Sequence, residues 1–104
     1  MNVLQATYRR QARAEKSVRD EQLIALHRDA ALALSGPDAA TVLANALSQI
    51  SRWEAGKLCS THYIDRWRSI LAMEPLEAEK AMLQPDGDGP ALRQNSPFGF
   101  LLRR

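Results

Sequence analysis

The sequence predicts a small all-α domain of four to five helices with flexible termini, and three observations lead there. Ala and Leu dominate the apolar residues while Val, Ile, Phe and Tyr are few, a mix that favours helix over strand. Apolar residues recur at steps of three and four rather than two. Helix stop signals, Gly36-Pro37, Gly56 and Pro75, divide the chain at intervals suited to short helices. With 104 residues there is room for one compact domain.

The elements follow in order. Residues 1–19 carry Arg9, Arg10, Arg13, Lys16 and Arg19 but few apolar anchors, and read as a basic arm or helix. From Asp20 the pattern sharpens, with Leu23, Leu26, Ala30 and Leu34 marking one helix face. Asp20 and Glu21 favour that helix start through the macrodipole. Gly36, as a left-handed cap, and Pro37 end it. Pro37-Asp38 opens a short second helix containing Ala40, Val42 and Leu43. A bend is expected at Ala44-Asn45, and a third helix from about Ala46 to Ala55, stopped by Gly56. A fourth helix, capped by Ser60 or Thr61, carries Tyr63, Ile64, Trp67, Ile70 and Leu71. Glu74-Pro75 ends it and starts a fifth, which fades by Gln84. Residues 20–84 thus form the predicted domain and residues 85–104 a flexible tail, whose Phe98–Leu102 end suits a docking peptide, a protease handle or a segment folded back onto the core.

Several functions are disfavoured by composition. One cysteine, Cys59, and two histidines, His27 and His62, do not make a tetrahedral metal site. No nucleophile–base pair and no glycine-rich phosphate loop can be read from spacing. Neither an enzyme nor a cofactor is therefore expected. The Met1 end lacks the apolar run of a signal peptide, and nothing approaches the ~18 consecutive apolar residues of a membrane span, so a cytoplasmic location and no membrane partner are expected. His27 and His62 read as surface or boundary residues.

Charge is uneven although the net value is only +2. Residues 1–20 and 46–68 are mildly basic and residues 74–88 are acidic. That layout suits nucleic acid at one end and protein at the other, as well as ordinary solvated helix faces. A short helix, a tight turn and an amphipathic second helix describe a helix-turn-helix. On the wheel of residues 46–56, Ala46, Ile50 and Trp53 fall inward, Ser48, Arg52 and Ala55 outward, with Gln49 and Ser51 on the flanks. Arg pairs with guanine O6/N7, Gln with adenine N6/N7, and Ser with phosphates or base edges.

The segment Ser48-Gln49-Ile50-Ser51-Arg52-Trp53 resembles the heart of the recognition helix in lambda-type CII phage transcriptional activators. The similarity continues upstream through Ala39–Leu47, and Arg19-Asp20-Glu21-Gln22-Leu23 resembles the start of that family's first helix. Gly36 stands one residue out of step with the family's glycine. The family has glycine at the turn where Ala44 stands, a small apolar residue at Asn45 and a polar one at Leu47. A Ser-Arg-Trp-Glu-x-Gly string also occurs in lambda-repressor and Cro-like domains. The resemblance implies a lambda repressor-like helix-turn-helix protein acting in a bacterial host cell. It implies a homotetramer that binds direct repeats in double-stranded promoter DNA and recruits RNA polymerase. Ser48, Gln49, Ser51 and Arg52 would then face DNA, joined by Lys57, with Arg9, Arg10 and Arg13 as phosphate contacts. A Cro/repressor-like dimer and a helical phage protein that binds a host protein are the alternatives. The two apolar sides of the fourth helix, Tyr63/Ile70 and Ile64/Trp67/Leu71, point to a homo-oligomer interface there, as dimer or tetramer.

Overall fold

Residues 3–19 contain no glycine or proline and are rich in Ala and Arg, with Gln, Glu and Lys among the rest, all good helix formers. In the computed structural model, which describes residues 3–103, they join the next segment in one helix, α1 (Val3–Leu34). The arm and the first predicted helix are therefore one element, and Asp20 starts nothing. Met1, Asn2 and Arg104, the extreme ends of the predicted arm and tail, lie outside the described residues. Four further helices follow: α2 (Ala39–Gly56), α3 (Thr61–Leu71), α4 (Pro75–Met82) and α5 (Gly89–Gln94), with a 3-10 turn at Gly99–Arg103. No helix among the described residues is long and apolar enough to cross a membrane.

The predicted bend at Ala44-Asn45 is absent, because α2 runs unbroken from Ala39 to Gly56. Nothing in that stretch forces a break: it holds no proline and no internal glycine, and Ala44 is the strongest helix former. The second and third predicted helices are thus one. Where α2 does end, the left-handed residue is Lys57 (φ 53°) rather than Gly56. Its N–H donates to the Glu54 carbonyl, and that of Leu58 to the Trp53 carbonyl at 2.9 Å, closing the last turn. Gly36 likewise is not left-handed; among the described residues only Lys57 and Gly87 have positive φ.

Other signals act as expected. Ser60 caps α3, its hydroxyl accepting from the Tyr63 N–H. Pro75 stands at the start of α4, after an extended Glu74.

The core gathers around Trp67, with Leu26, Ala30 and Ala31 of α1, Val42, Ala46 and Ile50 of α2, and Ala78 and Met82 of α4. Ile64, Trp67, Ile70 and Leu71 are all buried within the single chain, and only Tyr63 stays half-exposed. The two apolar sides of α3 that pointed to subunit contacts are covered within the chain instead: α3 packs on α2 and α4, and Phe98 of the C-terminal segment meets Trp67 edge to face. That segment is no flexible tail. Leu92 and Phe98 are fully buried, and the Trp67 indole N–H donates to the Asn95 carbonyl at 2.7 Å. Gly89 is needed at the start of α5, since a Cβ there would collide with the Gln84 carbonyl oxygen.

His27, expected near the surface, is fully buried beside Trp67 and Phe98. Both ring nitrogens are satisfied: Nδ1–H donates to the Leu23 carbonyl at 2.6 Å, and Nε2 accepts from the Ser96 hydroxyl at 2.8 Å. Burial pushes its pKa below the ordinary value of 6.5, helped by the nearby positive charge of Arg93 and opposed by the Leu23 hydrogen bond. Arg93, itself buried, donates to the Met82 and Gln84 carbonyls and so ties α5 to the end of α4.

Candidate nucleic-acid interface

The three- and four-residue spacing of Val42, Ala46, Ile50 and Trp53 turns one face of α2 into the core. Val42, Ala46 and Ile50 are buried, and Trp53 packs half-buried beside them. The opposite face carries Thr41, Ala44, Ser48, Ser51, Arg52 and Ala55, all exposed. It is a surface of short side chains with one long cation, which permits close approach of a phosphate backbone or a base edge. Gln49 lies on the flank, half-buried.

Arg52 is held in position by its neighbour. Its Nη2 and Nε both donate to Gln49 Oε1, at 2.6 and 3.3 Å. The fork therefore occupies the Gln49 oxygen, so the two residues present themselves as one unit rather than as two independent base readers. Other cations of the region are neutralised. Arg68 makes a two-pronged pair with Glu54, at 2.8 and 3.2 Å, which fastens α3 to α2. The guanidinium holds the Glu54 carboxyl below the usual range. Arg66 pairs with Asp88 at 3.2 Å, fastening α3 to the loop before α5. Among the described residues neither Arg52 nor Lys57 pairs with a carboxylate. Lys57 is exposed at the C-terminal end of α2, where its charge complements the helix dipole.

One boundary of this face was not anticipated. Ser96, Pro97, Gly99 and Phe100 run beside Asn45, Ser48, Gln49 and Arg52, and together they enclose a groove of about 370 Å³. The Ser48–Arg52 edge of α2 is walled by the C-terminal segment, whereas Ser51 faces open solvent. The apolar Phe98–Leu102 run is the sequence signal that something must pack here, but nothing in it names α2 as the neighbour.

The basic part of α1 stands apart from this groove. Arg9, Arg10 and Arg13 are exposed, with Arg13 Nε donating to the Arg9 carbonyl at 3.3 Å. Tyr63, Ile64, Trp67, Ile70 and Leu71 belong to the core and its margin and do not contribute to an exposed site. Cys59 is a free, half-buried thiol. No family model, no curated protein and no solved structure matches the chain.

Proposed function

We propose that this protein is a sequence-specific DNA-binding regulator that presents the outward face of α2, Ser48, Ser51 and Arg52 with Lys57 at its end, to the major groove. The observation that carries the reading is the state of Arg52: exposed, without a carboxylate partner among the described residues, and held in orientation by Gln49. An oriented guanidinium on a face of small residues is the element that bidentate guanine contact requires. The exposed cations of α1, Arg9, Arg10 and Arg13, would supply sequence-independent attraction to phosphates. The unbroken α2 means that this reading does without the turn of a CII-type motif. The activator role, direct repeats and RNA polymerase contact rest on the resemblance over residues 19–56 alone.

A second reading, a helical protein that docks a host protein, draws on one observation. Pro97 and Phe100 wall the polar face on one side, giving a mixed apolar and polar groove of a kind that peptides also occupy.

Selection of bound duplex DNA from a random pool, followed by a salt titration, tests the first reading. The expected result is an enriched motif whose affinity falls steeply with salt as neutralised phosphates recover their counterions. No enriched motif, or binding indifferent to salt, would sink it. Spaced direct half-sites would favour the activator form, and a palindrome the repressor-like dimer.

A further inference from the structure

The N-terminal length of α1 projects from the domain with its side chains in solvent. Every side chain from Thr7 to Arg19 is exposed, and the molecule measures 53 Å along its long axis against 29 and 27 Å across. A solitary helix of fewer than about 12–15 residues is marginal in water, and helices are held chiefly by burying one face. The face available for burial can be identified. Tyr8, Ala12, Glu15, Arg19, Gln22, Leu26 and Asp29 succeed one another at alternating steps of four and three, the seam spacing of paired helices.

This seam has a different character at its two ends. At the projecting end Tyr8 is 67% exposed, a large amphipathic ring with no place to pack. At the body end the seam runs into a largely apolar groove of about 600 Å³, walled by Leu23, Ala25 and Leu102 over a nearly closed floor at Leu26, 6% exposed, and edged by Arg19, Gln22 and Asp29. Tyr8 and Leu26 are eighteen positions apart, five whole turns at ~3.6 residues each, so they point the same way. An aromatic knob and an apolar hole therefore lie on one line of one helix, too far apart to meet within the chain. They meet when a second α1 lies antiparallel on the first. In that register Tyr8 faces the partner's Leu26, Ala12 faces the partner's Gln22, and Glu15 faces the partner's Arg19. Each contact occurs twice, as a two-fold interface requires. Among the described residues neither Glu15 nor Arg19 forms an ion pair within its own chain.

We propose that two copies of the chain pair antiparallel along α1 about a two-fold axis near Ser17, each seating its Tyr8 in the apolar groove beside the other's Leu26. The self-complementarity of charge and shape along the seam selects a second copy as the occupant. Arg9 and Arg13 lie off this seam on the helix. The inference goes beyond DNA binding and does not depend on it.

Sedimentation equilibrium of the full chain without DNA is the test, with circular dichroism confirming that each variant keeps its helix content. The wild type is expected to be a dimer at high micromolar concentration. Tyr8→Asp is expected to weaken association about tenfold or more, the scale of losing an aromatic anchor that the symmetry repeats at both ends of the interface. Glu15→Arg is expected to do likewise by setting two arginine pairs against each other. The double variant Glu15→Arg/Arg19→Glu restores both ion pairs with reversed sign and is expected to dimerise again. A monomeric wild type overturns the proposal. So does a dimer indifferent to Tyr8→Asp or Glu15→Arg, or a charge-swapped double variant that stays monomeric.

Discussion

His27 and Ser96 are separated by 69 positions in the chain, yet Nε2 of the imidazole and the serine hydroxyl lie 2.8 Å apart in the interior. With Nδ1–H committed to the Leu23 carbonyl, Nε2 must accept, so the ring is neutral and the serine donates. The same Ser96 oxygen accepts from the Phe98 N–H at 3.1 Å. A relay thus runs from α1 through a histidine and a serine to the backbone that carries Phe98 into the core. It binds the C-terminal segment to the domain and, through that segment, sets one wall of the α2 groove.

A pH dependence of stability follows. Burial lowers the folded-state pKa of His27 below the unfolded value near 6.5. Above that value both states hold a neutral ring and its contribution is complete. As pH falls below about 6.5 the unfolded chain takes up the proton first, and stability is lost until pH has passed through the lower folded value. The slope in that window approaches about 1.4 kcal/mol per pH unit at most. Urea unfolding between neutral and mildly acidic pH should show this slope, and His27→Gln should flatten it. An unchanged slope in His27→Gln would place the titration elsewhere.

Phe98 tests whether the C-terminal segment is part of the core. Its ring is fully buried and meets Trp67 edge to face, with centroids 5.8 Å apart. Phe98→Ala leaves a cavity against Trp67 and His27 and should cost about 3–5 kcal/mol. In a domain this size that lowers Tm by more than about 10 °C. A free tail would lose nothing.

The outcome for the sequence was uneven for physical reasons that differ by residue. Pro75, Ser60 and the apolar spacing of Leu23, Leu26, Ala30 and Leu34 act locally, so they read correctly without tertiary context. His27 could not be placed, because its burial depends on Ser96 arriving from the far end of the chain. The burial of Trp67, Ile70 and Leu71 was not legible because their cover comes from α2 and α4 and, for Trp67, from Phe98, an arrangement only the tertiary fold defines. The inward Ala46 and Ile50 and outward Ser48 and Arg52 of the candidate face were legible from the wheel. The groove wall at Ser96–Phe100 was not, since no local signal links it to α2. The bend at Ala44-Asn45, expected from the reading of two short helices here, runs against the propensity of the residues themselves.

That conflict gives a sharp test. Ala44 is exposed in the middle of α2, so Ala44→Gly should destabilise the protein by about 1 kcal/mol, the usual cost of glycine in a helix interior. A left-handed turn at this place would reverse the sign, since glycine relieves the strain that alanine suffers there. Denaturant unfolding of the single variant distinguishes the two, and a gain in stability would restore the helix-turn-helix reading of this segment.

Arg52 bears most directly on the proposed function. Its side chain is exposed and its described hydrogen bonds go to Gln49 Oε1, so Arg52→Ala should leave the fold intact and shift Tm little. On a selected DNA site it should cost about 1–3 kcal/mol of discrimination while affinity for random DNA falls far less, the pattern of a base contact. Arg52→Lys should not rescue discrimination, because an ammonium cannot reproduce the planar fork. Gln49→Ala should cause a smaller loss, since it frees the guanidinium from its oriented position without removing it. If Arg52→Ala weakens specific and random DNA equally, the residue acts on phosphate and the α2 face does not read sequence. If it changes neither, that face has no part in DNA binding.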